Sequence, residues 1–130
     1  MRRLAVLALA AAPAFAGTMT PEAFDAAATG RTLHFSLAGQ PFGSEQYFSG
    51  RRVLWRFEDG SCQLGRWWPS GALICFAYDS GGGAQCWAFR PHPGGFSAAL
   101  VEGGAETGFV LDLAGSDSVP LDCPGPGVGS

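Results

Sequence analysis

Cys62, Cys75, Cys86 and Cys123 are the only thiols of this 130-residue chain, and thiols can ligate a metal, cycle between redox states or crosslink. Zinc sites draw on close pairs such as C-x2-C, whereas here twelve, ten and thirty-six residues intervene. Neither C-x-x-C nor C-x-x-C-H occurs, so a thioredoxin-like couple and covalent haem attachment are not indicated. An even count reads instead as two disulfides if the chain is exported, as its amino terminus suggests below. No metal and no cofactor is expected.

The other chemistry-bearing types are sparse. His34 falls on the outward parity of a strand, and His92 sits in the rigid Pro91-His92-Pro93 loop; neither has a carboxylate or nucleophile at a telling distance along the chain. Both read as surface residues. No serine lies in G-x-S-x-G, and Gly81-Gly82-Gly83 lacks the Lys and Ser/Thr of a phosphate loop, so it reads as a hairpin tip. No catalytic residue is expected, and the protein reads as a binder rather than an enzyme.

The amino terminus, MRRLAVLALAAAPAFAG, places Arg2 and Arg3 before an apolar run and Ala14-Phe15-Ala16 before Gly17. That pattern predicts a secretory signal peptide over residues 1–16, cut after Ala16, and a single domain over residues 17–130. The run is shorter than the roughly 20 residues of a spanning helix. Losing Arg2 and Arg3 takes the formal charge from −3 to −5, with no lysine anywhere. Such a balance argues against nucleic acid or an anionic membrane as the main partner. A periplasmic or secreted monomer is expected.

Thr20-Pro21-Glu22 reads as N-cap, first helical residue and first-turn acid, with Gly30 behind an Ala-rich run, so a short helix is predicted over residues 21–29. Phe24 and Ala28 make its narrow apolar stripe. Beyond it, short runs of Val, Phe, Trp, Leu and Ile alternate with Gly, Pro and Asp-Gly turns, as in an all-β domain. Strands are predicted over residues 32–37, 45–48, 53–58, 61–68, 72–78, 84–89, 95–101 and 108–113. Leu33, Phe35 and Leu37 share one face, as do Phe96, Ala98 and Leu100, then Phe109, Leu111 and Leu113. About eight strands joined by short turns predict an antiparallel meander barrel with the helix capping an end or rim, a two-sheet sandwich being the alternative.

A two-residue Asp59-Gly60 turn would set Phe57 against Cys62, Trp55 against Leu64 and Val53 against Arg66. A turn at Pro69-Ser70-Gly71 would set Arg66 against Ile74 and Cys62 against Tyr78. The next loop would set Ile74 against Trp87 and Cys75 against Cys86. Directly opposed residues of an antiparallel pair stand close enough for a disulfide, so Cys75 and Cys86 are predicted to staple a hairpin. Cys62 is left to Cys123, which would fasten the Pro- and Gly-rich tail to the sheet.

On this register Arg66 projects inward among Trp55, Trp68 and Trp87, with Tyr78 and Gln85 nearby. An inward arginine needs an anionic partner. Glu45 could supply it, or the side chain could snorkel out of a barrel end; otherwise these six residues form a site for a small anionic or aromatic ligand. Trp67 falls on the outer parity. It could cover the helix or tail, or join Phe42, Tyr47 and Phe48 as a surface for an envelope protein. Arg51 and Arg52 could also be ordinary edge charges.

The stretches TGRTLHF, GSEQYFSGRRVLWRF, GSCQLGRWWPSGALICFAY, QCWAF and LDCPGPGVG together cover most of the chain after residue 16. Their Gly-x-Thr-Leu start, Gly-x-Trp strand, Cys-Phe strand and Cys-Trp strand resemble a group of small exported proteobacterial proteins of unknown function. The resemblance implies a periplasmic β-rich domain and carries no catalytic residue with it.

Overall fold

In the computed structural model, which describes residues 2–7 and 15–124, one short helix is followed by eight antiparallel strands closed into a barrel. The helix α1 spans Pro21–Ala28, and the strands are β1 Thr32–Leu37, β2 Gln40–Tyr47, β3 Arg52–Phe57, β4 Cys62–Ser70, β5 Leu73–Tyr78, β6 Gln85–His92, β7 Gly95–Glu102 and β8 Ala105–Asp117. Each strand pairs with its neighbour in sequence, and β8 returns to β1. The meander expectation therefore holds, and the sandwich does not. Among the described residues no helix is long and apolar enough to cross a membrane.

Thr20 accepts the Ala23 amide through Oγ1 at 3.1 Å and Pro21 opens the helix, while Thr29 already has extended torsions, one residue short of the predicted end. Phe24 and Ala28 are fully buried, and their stripe closes one end of the barrel. The Phe24 ring meets Phe89 at 4.7 Å, Trp67 at 5.1 Å and Tyr47 at 5.7 Å between centroids. Backbone bonds from Gly30 to Tyr47 and from Tyr47 to Arg31 lock the helix exit onto β2.

Two of the three predicted hairpin registers differ from expectation. Between β3 and β4 the Phe57 amide bonds the Ser61 carbonyl, so the loop has three residues, Glu58, Asp59 and Gly60, with Gly60 at φ +90°. The Gly60 amide bonds back to the Phe57 carbonyl at 3.0 Å, and the positive φ of Gly60 suits the last position of a three-residue hairpin loop. Asp59 accepts both the amide and the hydroxyl of Ser61, which tightens the longer loop. Trp55 accordingly faces Gln63 instead of Leu64. Between β4 and β5 the strand runs on through Pro69 to Ser70, and Gly71, at φ +57°, opens a two-residue turn with Ala72. Arg66 then faces Ala77, three residues from the expected Ile74.

A shift by an odd number of residues moves a strand's whole side-chain set to the other face. Both shifts are odd. The first inverts β4 relative to β3 and the second restores β5, so the misreading is confined to β4. Trp67 is therefore inside, at 2 % exposure, while Arg66 and Trp68 are outside, with the guanidinium 4.9 Å from the Trp68 ring centroid. Trp55, Ile74 and Trp87 share the interior, and Ile74 and Cys75 pair with Trp87 and Cys86 as expected.

Both disulfides form, Cys75–Cys86 within the β5–β6 hairpin and Cys62–Cys123 across 61 residues. The second ends a strap, residues 118–123, that leaves β8 and crosses the outside of β1, β2 and β3 to reach β4. The Thr32 hydroxyl donates to the Val119 carbonyl at 2.7 Å, the Leu121 amide to Gln46 Oε1 at 2.9 Å, and Arg56 Nε to the Asp122 carbonyl at 2.9 Å. Gln46 and Arg56 flank Leu54, which faces outward yet is 1 % exposed because the strap lies over it. On the loop-entropy account, replacing Cys62 and Cys123 by Ala costs about 4 kcal/mol, and replacing Cys75 and Cys86 about 3 kcal/mol. Urea midpoints of the two double variants check the order. A smaller loss for the 62–123 pair would mean that the strap's hydrogen bonds already hold it.

Candidate functional site

Closing eight strands leaves an interior that side chains can fill or that can hold one small ligand. Here the helix end is filled and the other end is not. A cavity of about 440 Å³ extends from the buried rings of Phe35, Trp55 and Phe76 to the half-buried Phe57, Trp87 and Phe109. Gly81, Gly82 and Gly83 of the β5–β6 loop border it at the end opposite the helix, and all three have positive φ. Alternation delivers its wall: Glu45 and Tyr47 from β2, Trp55 and Phe57 from β3, Phe76 and Tyr78 from β5. Phe42 joins them because the β1–β2 register shifts beside Phe35, leaving Phe42 unpaired between Pro41 and Gly43 and turned inward.

Two strand glycines shape that wall. A Cβ on Gly43 would strike the Trp55 indole, and one on Gly65 would lie 2.7 Å from Tyr78 Cδ1. Glycine inside a strand often marks such a close approach. Bare backbone at these two places lets Trp55 and Tyr78 lie flat against the neighbouring strands, keeping the centre open.

Glu45 is the one acid on the cavity wall among the described residues and is 3 % exposed. Tyr78 Oη donates to its Oε2 at 2.5 Å, and the Tyr47 hydroxyl also favours the carboxylate. Burial disfavours the carboxylate more than the two phenols favour it, so the Glu45 pKa is pushed up to about 7. Burial and then the adjacent carboxyl hold both tyrosines well above the ordinary phenol range, so they remain donors. No arginine, lysine or histidine side chain lines the cavity among the described residues.

Of the residues expected to meet a ligand, Trp55, Tyr78, Gln85 and Trp87 do line the cavity, whereas Arg66 and Trp68 do not. The expected pairing of Arg66 with Glu45 is absent; the tyrosines take that place. The expected partner surface is dispersed too. Trp67 is buried against the helix, Phe42 and Tyr47 face the cavity, and Phe48 alone is exposed, at 36 %. Glu45 itself has a legible signal, since it shares strand parity with Tyr47 and stands opposite Leu33 and Trp55.

His34 also has partners that sequence distance hid. Its Nδ1 lies 2.7 Å from Ser44 Oγ on β2, and its Nε2 2.8 Å from Asp117 Oδ2 on β8. The hydrogen bond from His34, then the Val119 amide, holds the Asp117 carboxyl below its usual range. Though the three residue types match a hydrolytic triad, they stand on the outside of the barrel, away from the cavity, with His34 and Asp117 side chains 40 % and 45 % exposed. Their evident work is to tie β2 and β8 to β1, the seam that closes the barrel.

No family model, curated protein or solved structure matches the chain.

Proposed function

We propose that the protein is an exported, non-catalytic binding protein that takes a small, ring-bearing, largely apolar molecule into the barrel. The observation that carries this reading is the cavity of about 440 Å³, walled by aromatic rings and closed at its base by α1. Its size falls in the range of small-molecule sites, roughly 300–1,000 Å³, and its few polar groups converge at Glu45 as orienting groups do. An anionic ligand loses its warrant with Arg66 outside the barrel. Export is supported by the amino-terminal pattern and by two disulfides, which suit an oxidising compartment. The likeness to small exported proteobacterial proteins accords with it.

Uptake of the neutral fluorophore N-phenyl-1-naphthylamine tests the reading. One molecule per chain is expected, with energy transfer from Trp55 and Trp87. Ala98→Trp, which fills the cavity from β7, should weaken uptake at least about tenfold. No uptake, or uptake indifferent to that substitution, would remove the cavity as the site.

A further inference from the structure

Resting on the cavity-binding reading, we propose that the ligand is an organic amine, whose protonated nitrogen is held by the Glu45 carboxylate at the centre of the aromatic wall. A carboxylate offers about four acceptor positions, and the phenols that serve Glu45 are Tyr78, hydrogen-bonded at 2.5 Å, and Tyr47 beside it. Acceptor capacity therefore remains on the side that borders the cavity. A buried acid without a counter-charge is costly, and the cavity wall contains no cation among the described residues. An ammonium ion brought by the ligand supplies that charge.

The surrounding rings suit the same chemistry. Trp55 stands opposite Glu45 on β3, and Phe35 and Phe42 lie 6.3 Å and 6.0 Å from its ring centroid. Aromatic faces attract cations, tryptophan most of all, and the attraction grows when water is excluded. A carboxylate beside several rings thus selects a cation over a neutral isostere, while an anion meets repulsion from both.

The groups that face Glu45 also give binding a direction with pH. Tyr47 on its own strand and Tyr78 on β5 stay neutral donors, while Leu33 on β1 and Trp55 on β3 do not titrate. Glu45 alone changes charge between pH 5 and 8. An amine that requires the carboxylate binds best near pH 8 and loses affinity as the acid takes up its proton. With that proton leaving near pH 7, the loss at pH 5 is about 100-fold.

Calorimetric titration with tryptamine, its neutral isostere tryptophol and indole-3-acetate decides the matter. Tryptamine should bind about 10- to 100-fold more tightly than tryptophol at pH 8, and indole-3-acetate least tightly. Glu45→Gln should weaken tryptamine until it binds no more tightly than tryptophol. Should that variant not fold, the wild-type pH profile stands in: tryptamine weakens toward pH 5 and tryptophol does not. Equal binding of tryptamine and tryptophol, or rejection of all three indoles by a cavity that still takes N-phenyl-1-naphthylamine, overturns the amine and leaves the binder. Rejection of the naphthyl probe as well overturns both.

Discussion

Glu45→Gln stabilises the barrel at pH 8 by about 3 kcal/mol and removes most of the decline in stability between pH 4.5 and 7. The sign follows from the direction of the shift. Burial raises the folded-state pKa to about 7, so across this window the folded protein holds a proton that the unfolded chain has released. The contribution is fully present below the unfolded pKa and is lost as pH rises through the folded one. At pH 8 the wild-type protein buries a carboxylate with only two phenols to solvate it. Glutamine keeps an acceptor for Tyr78 and carries no charge. Urea unfolding of both proteins at pH 5 and pH 8 measures the difference. A variant no more stable than wild type at pH 8 would show that the carboxylate is already solvated within the cavity. A gain in stability from losing an acid is a common mark of a group kept for function.

Phe24→Ala is expected to cost about 3–5 kcal/mol, a large share of what holds a single domain together. Phe24 is fully buried and meets Tyr47, Trp67, Phe76 and Phe89 at centroid distances between 4.7 and 6.5 Å. Removing the ring leaves a void at the base of the barrel, where the helix backbone prevents collapse. Guanidinium unfolding should show a lower midpoint at unchanged slope. A cost below about 1 kcal/mol would mean that the barrel base packs without the helix.

The meander, the helix and both disulfides were legible because hydrophobic alternation, cap residues and cysteine placement are local signals that agree with one another. Loop length was not. Asp59-Gly60 satisfies a two-residue turn and a three-residue turn equally well on paper, and the Asp59 contacts to Ser61 settle it in favour of the longer. With two adjacent tryptophans, that single residue decides which of Trp67 and Trp68 enters the barrel. The odd offset carried Arg66 inside with Trp68 and suggested an anion site that the fold does not build. The later turn compensated, so Trp55 and Trp87 were assigned to one interior despite the error between them. Glu45 could be read as a possible partner for Arg66 but not as the centre of a site, because its tyrosine partner Tyr78 lies 33 residues away. Gly65, which gives the Tyr78 ring its room, was masked by the same misplaced register.

The strap from β8 to Cys62 runs across the closing seam, so the chain lays a partial hoop over its own staves β1, β2 and β3 and is riveted shut by sulfur. Widening the cylinder would require that hoop to stretch. On the binding reading proposed above, a guest would enter endwise, past the three glycines, and its girth would be capped for as long as the rivet stays oxidised. On that same reading, cutting it with a reductant would loosen the limit on guest width before it disturbed the carboxyl at the centre, and size selection would follow the redox poise of the surroundings.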